Sequence, residues 1–182
     1  WEDVAADMTG PVPDGVTVFY QKQMAHHLLP GMGREWMREL QHAFLIREPR
    51  AMLSSYNKKR EAATLTDLGF PQQVELYEWL AQNTGQTPPV VDSRQVLEDP
   101  RGVLSALCDA LGVSFTDKML SWPPGKRDSD GVWADHWYDA VVTSTGFQPY
   151  KAKAIELTDE LEAVAAEAQP YYDALFSKRL GA

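Results

Sequence analysis

The segment His42–Lys59, HAFLIREPRAMLSSYNKK, decides the fold. It opens on a short apolar run, Ala43–Ile46, that is typical of a buried strand. Pro49 ends this strand because it donates no hydrogen bond to a ladder, and the residues from Ala51 to Tyr56 contain no helix breaker. The segment therefore predicts a strand, a tight basic turn and then a helix.

Arg47 stands at the predicted carboxyl end of this strand. In open α/β sheets ligands bind outside the carboxyl ends of the strands, and a helix that starts there favours an anion. The planar guanidinium suits a phosphate, and Ser55, about two helical turns further on, offers a hydroxyl donor. The alternative is a surface turn whose arginines, Arg47 and Arg50, are solvated or paired with Glu48.

The pattern R-x-P-R-x-x-x-x-S-Y at the end of a strand resembles a segment of the sulfotransferases. In that family the segment holds the 3′-phosphate of the sulfuryl donor 3′-phosphoadenosine-5′-phosphosulfate (PAPS). The resemblance implies that Arg47 and Ser55 are phosphate ligands. Further segments resemble the same family, in the same order along the chain.

A lysine and two histidines follow Val16–Tyr20, a β-branched and aromatic run that predicts a strand. Lys22, His26 and His27 are therefore expected at its carboxyl end, beside Arg47. Histidine is the usual proton acceptor near neutral pH, and lysine stabilises negative charge on an oxygen. The resemblance implies that one of the histidines is the general base, and it leaves open which. The alternative is a pair of capping or packing histidines.

The segment Gly125–Trp133, GKRDSDGVW, resembles the loop with which sulfotransferases cover the nucleotide. The resemblance implies that Lys126 and Arg127 grip the 3′-phosphate, that Gly131 lets the loop fold over it, and that Trp133 covers the base or ribose. The alternative is a solvated charged turn with Trp133 packed in the core.

Strands and helices alternate along the chain. A short strand is predicted over Pro88–Asp92, and helices are predicted over Gln72–Gln82 and Gly102–Leu111. Thr158 is predicted to cap a last helix that Pro170 kinks or divides. Short helices are predicted over Trp1–Met8, Arg34–Leu40 and Ala134–Val142. The alternation predicts an α/β fold, a three-layer parallel sheet with helices on both faces, which the resemblance describes as P-loop sulfotransferase-like.

Composition limits the class of protein. The 182 residues carry a net charge of −9, which argues against a general nucleic-acid binder. The single cysteine, Cys108, excludes an internal disulfide and favours a reducing, cytoplasmic location, and neither a membrane-spanning run nor a signal peptide is visible. His42 and His136 are expected to be structural, and four scattered histidines with one cysteine predict no metal site.

One expected element has no counterpart. Sulfotransferases hold the 5′-phosphosulfate on a glycine- and serine- or threonine-bearing loop, and nothing in Trp1–Gly15 resembles it. Residues 1–182 are therefore expected to be a single sulfotransferase-like domain without its N-terminal strand, loop and helix. The predicted function is sulfuryl transfer from PAPS to the hydroxyl or amine of a small molecule, without a metal. The alternatives are a non-catalytic nucleotide-binding relative and a phosphotransferase, although no G-x-x-x-x-G-K-[ST] occurs.

Overall fold

The structure is a computed structural model that describes residues 1–12, 14–56, 63–128, 130–131, 138–152 and 154–181. The chain forms two compact units, one made of Trp1–Ser93 with Lys153–Ala182 and one made of Arg94–Ala152. The described α-helices are α1 (Glu2–Thr9), α2 (Pro49–Tyr56), α3 (Leu65–Leu68), α4 (Phe70–Thr84), α5 (Ser93–Glu98), α6 (Pro100–Ala110), α7 (Asp139–Thr143) and α8 (Asp159–Phe176). Short 3₁₀ helices cover Ala25–His27, Glu35–Glu39 and Asp117–Met119.

Most of the predicted elements are confirmed. The structure has helices at the three predicted ranges Trp1–Met8, Gln72–Gln82 and Gly102–Leu111. Their ends are shifted by a few residues, which is usual for helix termini. The predicted helix over Arg34–Leu40 is a 3₁₀ helix. Of the helix predicted over Ala134–Val142, the part before Tyr138 lies outside the described residues, as do Trp133 and His136.

The sheet of the first unit is parallel, as predicted. Strand β1 (Phe44–Ile46) pairs with β2 (Val90–Asp92), with Phe44 opposite Val90 and Ile46 opposite Asp92. On the other side of β2, Val90 forms an isolated parallel bridge with Arg179. The described chain is therefore a mixed α/β protein with a small parallel sheet and many helices.

The core of the first unit lies between the sheet and its helices. Phe44 and Ile46 point into it, whereas Leu45 between them is 62% exposed. Helix α8 packs against α2 and α4. The largest fully buried side chains in the described ranges, which anchor these elements to one another, are Ile46, Pro49, Leu53, Phe70, Leu80, Val90 and Leu175.

Helix α8 begins as predicted but is not divided. The Thr158 hydroxyl accepts a hydrogen bond from the backbone N–H of Leu161, and the helix runs unbroken through Pro170. The carbonyl that Pro170 leaves without a donor belongs to Ala166, and both residues are exposed, so this carbonyl is not buried without a partner in the core. Buried residues on either side, Ala168 and Tyr172, hold the helix to the core.

The predicted strand at Val16–Tyr20 is wrong. These residues have no regular secondary structure, and Tyr20 is 81% exposed. A strand forms only where a neighbouring strand accepts and donates hydrogen bonds, and no described strand lies against this segment. β-Branched and aromatic residues alone are therefore not sufficient to form a strand here.

The buried carboxylate of Asp92 ends β2 and is held by the last helix. Asp92 is 2% exposed, and the Tyr172 hydroxyl donates a hydrogen bond to its Oδ2 at 3.0 Å. Burial raises the pKa of Tyr172 above its ordinary value, and the charges of Asp92 and Glu48 raise it further. The hydroxyl therefore stays protonated, and its hydrogen bond ties α8 to the carboxyl end of β2.

Replacing Tyr172 by phenylalanine is expected to lower the free energy of unfolding by about 1–3 kcal/mol, because a buried carboxylate loses a donor. Tyr171→Phe is the matched control: it deletes the same atom from a half-buried neighbour whose hydroxyl has no partner among the residues in the described ranges. Urea titration measures both variants. Equal unfolding free energies would show that the bond to Asp92 contributes nothing.

In the second unit, helix α6 is followed by the 3₁₀ turn Asp117–Met119. An isolated antiparallel bridge then pairs Ser121 with Gly146, which lies just after α7. Cys108 on α6 is buried beside Met119. No α-helix in the part of the chain that the structure describes is long and apolar enough to cross a membrane.

Candidate functional site

In the turn after β1, a carboxylate of the chain itself caps the N-terminus of helix α2. The carboxylate of Glu48 accepts hydrogen bonds from the backbone N–H of Arg50 at 3.0 Å and of Ala51 at 2.7 Å. These are among the amides that a helix N-terminus offers to a bound anion. The sequence predicted an anion at this helix start, and the anion that occupies it is Glu48.

Arg50 has a structural role. Its guanidinium forms an ion pair with Glu162 on α8 and donates a second hydrogen bond to the carbonyl of Ile155 at 2.8 Å. The arginine is therefore neither merely solvated nor paired with Glu48, as the surface-turn alternative supposed. It holds the start of α2 against the segment that leads into α8.

Arg47 and Ser55 lie where the sequence predicted them. Arg47 follows β1 directly and precedes α2, and Ser55 lies in the last turn of α2. Both side chains are exposed, and neither forms a hydrogen bond or ion pair with any residue in the described ranges. The guanidinium of Arg47 and the hydroxyl of Ser55 are thus available to a ligand.

The two histidines differ in their surroundings. Both lie in the 3₁₀ helix Ala25–His27, called here the histidine turn, with their rings 4.4 Å apart between centroids. His26 is half-buried against Gly69, which joins α3 to α4 with a φ of 75°. A Cβ at Gly69 would lie 3.3 Å from the backbone N of His26. Both this close approach and the positive φ favour glycine at this position. His27 is exposed.

Helix α4 links the histidine turn to the end of β1. Gln73 in its first turn donates a hydrogen bond from Nε2 to the carbonyl of Leu45 at 3.1 Å. Gly69, which touches His26, is one helical turn earlier, or about 6 Å along the helix axis. The start of α4 therefore contacts both the histidine turn and strand β1, which Arg47 follows.

Lys22 is less firmly placed. It is exposed, and its Nζ contacts the sulfur of Met24 at 3.4 Å. No carboxylate in the described ranges pairs with it. Lys22 is thus linked to the histidine turn through Met24, the residue at which that turn begins.

The remaining predicted residues belong to the second unit. The backbone N–H of Arg127 donates to Asp130 Oδ2 at 2.9 Å, so one of the acids of the loop closes its turn. The Arg127 side chain lines a cavity of about 100 Å³ together with Trp122. Lys126 is exposed and Gly131 half-buried, whereas Trp133 lies outside the described residues.

Three residues near the predicted ligands were missed from the sequence. Glu48 accepts hydrogen bonds from the first turn of α2, Gln73 donates one to the Leu45 carbonyl of β1, and Trp122 lines the same cavity as Arg127. A signal for Glu48 existed, because an acidic residue before a proline at a helix start is in the position of a cap. Gln73 had no such signal, since its partner is distant in sequence.

The fold and this region define an α/β protein with an exposed arginine at the carboxyl end of a parallel strand. The model of a family described as "Sulfotransferase domain" matches residues 6–179. The chain therefore belongs to the sulfotransferase-domain family.

Two curated relatives come from Arabidopsis thaliana. The chain is 38% identical over 132 residues to "Branched-chain-amino-acid aminotransferase-like protein 1", covering 72% of the chain and 23% of that protein. It is 36% identical over 126 residues to "Branched-chain-amino-acid aminotransferase-like protein 2", covering 69% and 22%. The chain thus spans about a quarter of the length of these relatives. No solved structure matches it.

Proposed function

We propose that the protein transfers a sulfuryl group from PAPS to the hydroxyl or amine of a small molecule. The observation that carries the proposal is Arg47: within a sulfotransferase-domain chain, an exposed guanidinium without a partner in the described ranges stands at the carboxyl end of a parallel strand. That position is where ligands of open α/β sheets bind.

The 3′-phosphate of the donor would be held by side chains. Arg47 supplies two charge-assisted hydrogen bonds in a planar fork, and Ser55 adds a hydroxyl donor. Lys126, Arg127, Gly131 and Trp133 stay proposed nucleotide ligands on the resemblance alone. Because Glu48 already occupies the amides at the start of α2, the phosphate depends on side chains rather than on that helix end.

His27 is the proposed general base. Its ring is exposed, whereas His26 is packed against the turn between α3 and α4, so His27 is freer to approach an acceptor. The acceptor oxygen or nitrogen attacks the sulfur of PAPS while His27 takes its proton. The bond from sulfur to the 5′-phosphate oxygen breaks, and adenosine 3′,5′-bisphosphate leaves. Lys22 would stabilise the charge that develops on that oxygen.

Transfer also requires donors for the 5′-phosphosulfate, which the family resemblance places on a loop after a further strand. β1 has an edge for such a strand. The register with β2 turns the peptide groups of Phe44 and Ile46 toward β2, so that of Leu45 faces the opposite edge. The Leu45 carbonyl on that edge accepts a hydrogen bond from Gln73 Nε2 at 3.1 Å, so a strand that paired there would replace this side-chain contact.

The test is a transfer assay on the protein with PAPS and a panel of small alcohols, phenols and amines. We expect stoichiometric formation of a sulfated product and adenosine 3′,5′-bisphosphate. Binding of the bisphosphate without transfer to any acceptor would favour the non-catalytic nucleotide-binding alternative. Absence of both would exclude PAPS as the donor.

A further inference from the structure

Glu48 is a fixed negative charge next to the proposed phosphate ligand. Both of its carboxylate oxygens accept backbone hydrogen bonds from the first turn of α2, at 3.0 and 2.7 Å. The side chain is half-buried and adjoins Arg47 in the sequence, so the two Cα atoms are about 3.8 Å apart. Arg47 itself is exposed and forms no ion pair with Glu48.

We propose that Glu48 sets the affinity of the anion site, a proposal that rests on the function proposed above. Its carboxylate takes two amides that a phosphate would otherwise use, and it offsets the positive end of the helix dipole. A phosphate bound by Arg47 and Ser55 then lies in the field of a fixed like charge. Glu48 thereby weakens the hold on every 3′-phosphorylated ligand and promotes release of the bisphosphate product.

Neutral replacements at position 48 test the proposal directly. Glu48→Gln keeps one acceptor for the α2 amides, and Glu48→Ser places a favourable neutral cap there, so one variant remains informative if the other folds poorly. In low salt we expect each to bind adenosine 3′,5′-bisphosphate about fivefold more tightly or better, because a like charge is removed from a partly solvated site. The gain should shrink as salt screens the field.

Two controls separate charge from other causes. Glu48→Asp keeps the negative charge and should bind the bisphosphate like the parent, although the shorter side chain disturbs the cap. Glu78→Gln removes one negative charge from an exposed residue on α4 and should change the affinity less than twofold. Calorimetry measures all affinities, and circular dichroism verifies that each variant is folded.

The outcomes distinguish this proposal from the function on which it rests. Unchanged or weaker bisphosphate binding by both neutral variants would overturn the role of Glu48. If the parent does not bind the bisphosphate, the proposed function fails, and inorganic pyrophosphate then serves as the probe. Both neutral variants should bind pyrophosphate more tightly than the parent, and the absence of any difference would overturn the role of Glu48 as well.

Discussion

Replacing His27 by alanine is expected to lower turnover about a hundredfold or more, because the acceptor loses the group that takes its proton. Binding of adenosine 3′,5′-bisphosphate should survive, since Arg47 and Ser55 are unchanged. Steady-state transfer assays and calorimetry on the same preparation measure the two properties separately. A loss of turnover with intact binding assigns His27 to the chemical step.

His26→Ala is the matched control for His27. It removes the ring that packs against the turn at Gly69, so we expect a lower melting temperature and turnover within a few-fold of the parent. A hundredfold loss of turnover in His26→Ala, with His27→Ala near the parent, would make His26 the general base and His27 the structural residue. Near-parental turnover in both variants would exclude a histidine base.

Replacing Arg47 by alanine is expected to weaken binding of adenosine 3′,5′-bisphosphate by about 1.5–3 kcal/mol, the usual worth of a hydrogen bond to a charged group. This corresponds to a loss of about ten- to a hundredfold in affinity. Binding of adenosine 5′-monophosphate should change far less, because that ligand lacks the 3′-phosphate. Calorimetric titration of both nucleotides gives the comparison.

Two further arginines control for charge and for folding. Arg38→Ala removes a partly exposed positive charge that pairs with Glu35 in the same unit, and nucleotide affinity should stay near the parent's. Arg50→Ala breaks the contacts to Glu162 and Ile155, so it should lower stability. Equal bisphosphate affinity of Arg47→Ala and the parent would remove Arg47 from the site.

Local patterns in the sequence predicted most of the helices and the two strands that pair. β1 and α2 follow from the apolar run, the proline and the unbroken stretch to Tyr56. Val16–Tyr20 has equally strong strand propensity but forms no strand, because the hydrogen bonds of a strand come from a neighbour and the described chain offers none there.

In the candidate site, too, some features follow from the local sequence and others only from tertiary contacts. The sequence predicted the positions of Arg47 and Ser55, because these depend on where β1 ends and α2 runs. It placed the two histidines at the end of a strand over Val16–Tyr20, and that strand does not form. The sequence assigned Arg47 to the phosphate, but it gave Arg50 no partner other than solvent or Glu48. The contact of Arg50 with Glu162 joins residues far apart in the chain, and no local pattern contains it.

The sequence by itself therefore determined most of the helices, the parallel α/β character and the kinds of side chain at the end of β1. Period, breakers and caps are local properties, and they act within a few residues. Only the tertiary structure decided that His26 is packed and His27 exposed, that Gln73 connects α4 to Leu45, and that Glu48 occupies the start of α2. These depend on burial and on which backbone groups lack a partner, and both arise only when distant segments pack together.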